Sequence, residues 1–240
     1  MRTIYYITKT NDTLNALESQ DSKSFIEVLP LLEIQTIFPS GIWEQFCSCD
    51  SLIFTSANAI LALRENLESL PNATEAMQRW RNLPNFTLGA GCNEALKNLD
   101  LQAAFSASRA YGEEFAKELI PHLQGKKPLF VRARKIASKL PQILESAGIS
   151  LQQAILYETL LLQLQESQKE PLARDCVVFF SAPSHIKAFL LNFTWDSSFI
   201  ALCIGETTRK CALELLGKEA KILLSPQVSK KVALEFAKTL

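Results

Sequence analysis

The chain has little of what most enzymes use for chemistry. Its 240 residues include two histidines and eight glycines, and 25 Lys and Arg balance 25 Asp and Glu, so the formal charge is zero. Zero charge removes the whole-chain positive field that accompanies sequence-independent binding to nucleic acid or an anionic membrane. Neither is expected as a partner. No apolar run approaches the roughly 18 residues needed to span a bilayer, and the opening MRTIYYITKT sets Arg2 and Lys9 around a short β-rich run. A cytoplasmic protein is expected. The six cysteines contain no CxxC pair, and with only His122 and His185 as imidazoles a metal site is short of ligands. The cysteines read as small core hydrophobes, with Cys47-Ser48-Cys49 the one spacing open to redox or metal chemistry. There is no GxxxxGK[ST] loop. The run Gly89-Ala90-Gly91-Cys92-Asn93-Glu94 begins like a dinucleotide fingerprint but places bulky, anionic Glu94 where close packing needs Gly or Ala.

What the chain does have is core. With 48% apolar and 21% charged residues it is globular in composition, and its length suits one large domain or two small ones. Short β-branched runs alternate with amphipathic stretches, a β-α-β-α order that predicts a parallel sheet with helices on both faces. The pattern occurs twice. DSLIFTSA (50–57) matches DCVVFFSA (175–182), each a buried strand entering a Ser-Ala turn. A helix follows in both (58–67 and 183–193), then a strand ending in Gly89 or Gly205, a second helix, a short strand, and a closing helix (EFAKEL against EFAKTL). Residues 3–8, 11–19 and 25–32 likewise match 128–131, 137–147 and 151–157. Agreement at several places in one order indicates duplication.

The two copies are cut differently, which predicts the architecture. In the middle copy the three-strand block precedes the two-strand block, whereas the outer copy takes two strands from the start of the chain and three from its end. The expected fold is α/β, with two flavodoxin-like doubly wound parallel-sheet domains joined by a two-strand linker and an active-site cleft between them. The discontinuous outer domain takes residues 1–34 and 166–240, the permuted middle domain 39–158, with linkers near 31–39 and 157–168. Ligands of such sheets bind outside the carboxyl ends of the strands.

Small polar groups fall at those ends: Ser56-Ala57-Asn58, Gly91-Cys92, Ser181-Ala182 and Gly205 with Thr207-Thr208. Helix N-termini carry unpaired N–H groups and partial positive charge, so these turns suit carboxylates or phosphates; equally, Ser, Thr and Asn there serve as ordinary caps. Arg132 and Arg134 follow one strand, with Lys9 in the corresponding place after the first, and an Arg fork suits a carboxylate. Arg64, Arg79, Arg81 and Lys230-Lys231 read as surface. Tyr157 sits where the middle domain meets the second linker and can donate a hydrogen bond or proton, or simply pack. His185 reads as a turn residue. No Ser-His-Asp set or metal cluster assembles.

Six segments carry a family resemblance: IFTSANAI (53–60), LGAGCNEAL (88–96), YGEEFAKEL (111–119), LYET (156–159), VVFFSAPSHIKAF (177–189) and CIGETTRKCALELLG (203–217). In this order, with the permuted duplication, the chain resembles the uroporphyrinogen-III synthases. The resemblance implies a cofactor-free, metal-free lyase of tetrapyrrole (heme) biosynthesis. It would take hydroxymethylbilane, remove water, invert the terminal pyrrole through a spiro intermediate and close the macrocycle, working as a monomer on this small-molecule substrate. It implies that the Tyr157 phenol assists departure of the hydroxyl and that Thr208, beside Thr207, belongs to the active site. Ser56 and Ser181, with Ala57, Asn58, Gly91, Cys92, Arg132, Ala182, Gly205 and Thr207, would hold the substrate's acetate and propionate arms. Cys92 stands where many relatives have Thr, so no hydroxyl is available there. The competing expectation is a two-lobed module that binds a small anion without turnover.

Overall fold

The computed structural model describes residues 2–10, 26–107, 112–136 and 138–240; the helix expected at 11–19, and Tyr111 of the YGEEFAKEL segment, lie outside them. The protein is mixed α/β, with ten strands and nine α-helices among the described residues. It divides into two compact units, Met1–Glu33 with Thr159–Leu240, and Ile34–Glu158. The chain begins with β1 (Ile4–Lys9) and β2 (Ile26–Thr36). The second unit then supplies α1 (Ile42–Ser48), β3 (Ser51–Phe54), α2 (Ala57–Glu68), α3 (Ala73–Arg81), β4 (Asn85–Thr87), α4 (Ala90–Lys97), β5 (Ala103–Ser106), α5 (Gly112–Leu123), β6 (Pro128–Ala133), α6 (Leu140–Ser146) and β7 (Gln152–Leu161). The chain returns with β8 (Val177–Phe180), α7 (Pro183–Asn192), β9 (Ile200–Cys203), α8 (Glu206–Leu216), β10 (Lys221–Leu224) and α9 (Lys230–Ala237). No helix among the described residues is long and apolar enough to cross a membrane.

The first unit has strand order β2-β1-β8-β9-β10, or 2-1-3-4-5 along the chain. The second has β7-β6-β3-β4-β5, which is the same order when counting starts at β6. The described pairings within each unit are parallel. Strands β3 (SLIF), β8 (VVFF) and β9 (IALC) are buried along their whole length, as strands covered on both faces must be. Alternate side chains serve opposite cores. Leu52 and Phe54 pack with Ile60, Leu63, Trp80 and Leu96, whereas Ile53 packs with Phe115, Leu119 and Leu144. In the first unit Val178 and Phe180 join Ile186 and Phe189, and Val177 and Phe179 join Ala233 and Leu234.

A repeated polar device ties the helix after β3, and that after β8, to a strand end. Asn66 of α2 donates to Ile37 O at 3.0 Å and to Ala62 O at 2.9 Å, while Ile37 N–H reaches Leu156 O at 2.7 Å. In the other unit Asn192 of α7 donates to Leu162 O and Ala188 O, both at 2.8 Å, and accepts from Leu164 N–H at 2.7 Å, while Leu162 N–H reaches Leu31 O at 2.9 Å. Each Asn is the tenth residue of its helix. Both are buried, where an unmet carbonyl would be costly.

Two elements depart from the sequence reading. The strand expected at 25–32 and the linker at 31–39 form one eleven-residue strand, β2, with Leu31 and Leu32 in the core. Helix α1 was not foreseen, and Arg79, expected on the surface of a helical stretch, lies in α3 and is no free surface group. Its guanidinium donates to the carbonyls of Phe46, Cys47 and Cys49 at 3.2, 2.9 and 2.7 Å, closing the end of α1, and stands 5.7 Å from the Phe46 ring centre.

Candidate functional site

In each unit the strand order reverses at one point, between β3 and β6 in the second and between β1 and β8 in the first. There the connecting helices diverge and leave room for a ligand outside the carboxyl ends of the strands.

In the second unit, Ser56 ends the β3 turn and caps α2, its hydroxyl oxygen accepting from Asn58 N–H at 3.2 Å. Tyr157 arrives on β7, opposite Ala133 of β6, and its carbonyl accepts from Arg134 N–H at 2.8 Å. Tyr157 is buried, 6% exposed. Burial raises its pKa above the usual 10; a hydrogen bond from the Ser56 side chain opposes that rise, and the nearby Cys92 thiol adds to it. Tyr157 is therefore protonated at any physiological pH. Cys92 lies in the first turn of α4, reaches Phe54 O at 3.9 Å, and is held protonated by burial, with its pKa pushed up to about 11. Three residues singled out in the sequence, Ser56, Cys92 and Tyr157, thus share one place, although Ser56 and Tyr157 lie far apart in the chain.

The other expected residues of this unit stand around them. Ala57 and Asn58 are the first two residues of α2, and Gly91 is exposed on the first turn of α4. Gly89 precedes that helix at φ +82, a left-handed backbone that favours glycine. Arg132 is partly committed elsewhere: Nε donates to Gln153 Oε1 at 2.8 Å, and one Nη donates to the carbonyls of Ala133 and Arg134 at 2.9 and 3.2 Å.

In the first unit, Ala182 precedes α7 and Gly205 precedes α8; neither helix receives a side-chain cap, and the same holds for α4 after Gly89. Simple capping therefore accounts for Ser56 alone among the four turns. The amide groups that open α4, α7 and α8 have no side-chain cap and can serve an anion. Thr207 is exposed in the first turn of α8, and Thr208, 3% exposed, is buried beside it. Ser181 does not cap; its hydroxyl lies 3.4 Å from each ring nitrogen of His185.

A family model described as uroporphyrinogen-III synthase HemD matches residues 24–222, most of the chain. The chain belongs to the uroporphyrinogen-III synthase family. Its structure is similar to uroporphyrinogen-III synthetase from Helicobacter pylori 26695, with 26% identity and a TM-score of 0.75 over 100% of this chain and 99% of that one. It is also similar to a mutant uroporphyrinogen III synthase from the extremely thermophilic bacterium Thermus thermophilus, with 13% identity and a TM-score of 0.56 over 98% and 97% of the two chains, a likeness of fold alone. No curated protein matches the chain significantly. Membership of the uroporphyrinogen-III synthase family places the protein in tetrapyrrole biosynthesis, as an enzyme with a small-molecule substrate.

Within this synthase, the sequence reading missed the surroundings of His185. It lies in the first turn of α7, and its ring is buried, the residue being 7% exposed. Burial, together with the charges of Lys230 and Lys9, pushes its pKa down to about 3. No local pattern signals this, because the two lysines come from opposite ends of the chain.

Proposed function

We propose that this chain converts hydroxymethylbilane to uroporphyrinogen III without a cofactor, as a cyclising hydro-lyase. The observation that carries the catalytic part is the buried Tyr157 phenol, held protonated by burial and near the Ser56 side chain at the start of α2. A phenol so placed is a proton donor to a departing hydroxyl. Transfer of its proton gives water and a cationic azafulvene. Attack on the substituted carbon of the terminal pyrrole then gives the spiro intermediate, whose reopening and reclosure inverts that ring. The proton lost by the closing ring carbon balances the one spent.

Left alone, the bilane closes head to tail without inversion, so the enzyme's task is to hold a flexible polyanion in the shape that favours the spiro transition state. The uncapped amides opening α4, α7 and α8, with the small residues Ala57, Asn58, Gly91, Ala182, Gly205 and Thr207 beside them, suit carboxylate arms and allow close approach. Thr208 adds a hydroxyl in the α8 turn. In this reading each unit is a flavodoxin-like domain, the inserted one circularly permuted, and the enzyme works as a cytoplasmic monomer.

The test is the product isomer. Purified protein supplied with enzymatically generated hydroxymethylbilane is expected to yield the type III macrocycle. Folded protein that returns only type I product by chromatography overturns the proposal.

A further inference from the structure

Arg132 and Arg134 flank an irregularity in the β6–β7 ladder. The register slips there, with Arg132 opposite Ile155 but Ala133 opposite Tyr157, so Leu156 is passed over. A bulge of this kind leaves backbone groups outside the ladder and re-aims the residues that follow. The Arg132 guanidinium meets two such groups, the Ala133 and Arg134 carbonyls, at 2.9 and 3.2 Å. Its Nε donates to Gln153 Oε1 at 2.8 Å, and Gln153 donates in turn to Glu145 of α6 at 3.3 Å. Arg132 is thus a brace for the backbone that follows β6.

Arg134 stands on that braced backbone, at the carboxyl end of β6, one of the two strands flanking the order reversal of the second unit. It is fixed at three points. Its N–H donates to Tyr157 O at 2.8 Å, its carbonyl accepts from Arg132, and its Nε donates to Glu158 Oε2 at 3.0 Å. Glu158 offsets its charge but meets Nε alone. Both Nη groups are without a bond among the described residues, and the side chain is half exposed. Arg132 and Arg209 each spend one Nη as well as Nε, Arg209 on the two oxygens of Glu206 at 2.8 and 2.7 Å. Of the three, only Arg134 keeps the outer edge of its fork whole. An open fork on a fixed backbone suits a carboxylate, because two parallel N–H···O bonds can form without first ordering the loop.

We propose that Arg134 is the carboxylate-binding arginine beside Tyr157, and that Arg132 and Glu158 are positioning residues that aim it. This rests on the activity proposed above, in which Arg134 takes one acetate or propionate arm of the bilane. The role that the family resemblance implies for Arg132 passes to its neighbour two residues on.

With hydroxymethylbilane, Arg134→Gln is expected to raise KM about tenfold, the scale of one charge-assisted hydrogen bond, with kcat changed less than about twofold. Arg134→Lys keeps the charge without the fork and should recover part of the loss. Lys135→Gln removes an exposed positive charge from the next residue, and should move KM less than about twofold because such a charge is screened. A merely structural arginine would move Tm and leave KM alone. A second readout needs no turnover. Phenylglyoxal condenses with unhindered guanidinium groups, so peptide mass spectrometry should find Arg134 labelled faster than Arg132. Sodium propionate should protect Arg134 saturably, beyond sodium chloride at the same ionic strength, with exposed Arg81 as the unprotected reference.

Unchanged KM in Arg134→Gln, an equal rise in Lys135→Gln, or labelling of Arg134 that propionate slows no more than chloride does, overturns the assignment and leaves the activity standing. A parent protein that makes no type III product but shows propionate-protected Arg134 overturns the activity and leaves the carboxylate site standing.

Discussion

Replacing Tyr157 by Phe removes one oxygen from a buried site and leaves everything else in place. The ring packs with Phe54, Leu156, Leu129 and their neighbours, and a phenyl ring fills the same space, so no cavity opens. The loss is the hydroxyl's polar interaction with the nearby Ser56 side chain. Ser56 keeps its cap on α2 through Asn58 N–H, so the net cost is about 1 kcal/mol, a Tm fall of about 2–4 °C for a chain of this length. Loss of a general acid, by contrast, costs on the order of 10²–10⁴-fold in rate, or roughly 3–5 kcal/mol of transition-state stabilisation. The two effects are well separated. Turnover of hydroxymethylbilane, with product isomers resolved by chromatography and a thermal melt run in parallel, reads both. Because burial holds the phenol above its ordinary pKa of 10, the parent's rate should not fall through Tyr157 ionisation until the pH exceeds about 10. A Tyr157→Phe enzyme within about twofold of the parent rate, with a normal melt, would refute the reasoning and show that the phenol only packs.

His185 should make the protein acid-sensitive. The unfolded chain binds a proton below its ordinary 6.5 that the folded chain refuses until about 3. Stability is therefore lost as pH falls through that window, by about 1.4 kcal/mol per pH unit. Urea midpoints of the His185→Asn variant should depend less on pH than the parent's, and equal slopes would remove His185 as the cause. Asn66→Leu and Asn192→Leu should each cost about 1–3 kcal/mol by stranding a partly buried carbonyl, Ile37 O or Leu162 O. The loss should be larger for Asn192, which also accepts from Leu164 N–H; denaturant titration checks the order. Gly112→Ala should cost about 1–3 kcal/mol, because the new Cβ would lie 2.7 Å from Ser138 Cβ, an atom that no rotamer change can move aside. Adding Ser138→Gly should recover much of the melt, and a failure of that rescue would place the strain elsewhere.

The parts of the fold that showed in the sequence are those whose cause is local. Strands β3, β8 and β9 are unbroken apolar runs because helices cover both faces, and that burial writes itself into consecutive residues. The repeat was legible for the same reason, since two units with one architecture need the same residue types in the same order. Helix α1 was not, because it is short, opens on Gly41 with no side-chain cap, and is closed by Arg79 from another helix. The join of strand and linker in β2 was hidden because Leu31 and Leu32 are buried by residues distant in sequence.

The candidate site divides along the same line. By its own pattern of runs and turns the sequence determined which turns are small and polar, that glycine precedes α4 and α8, and that a tyrosine lies on the strand after α6. Only the tertiary structure decided that Tyr157 meets Ser56 and Cys92, that Arg132 is partly held by Gln153, and that the buried His185 ring feels the charges of Lys9 and Lys230. The physical reason is that a strand or a turn is specified by neighbours a few residues away. The charge, burial and hydrogen bonds that set a side chain's chemistry come instead from whatever parallel pairing brings alongside, and residues 9, 185 and 230 share no local pattern.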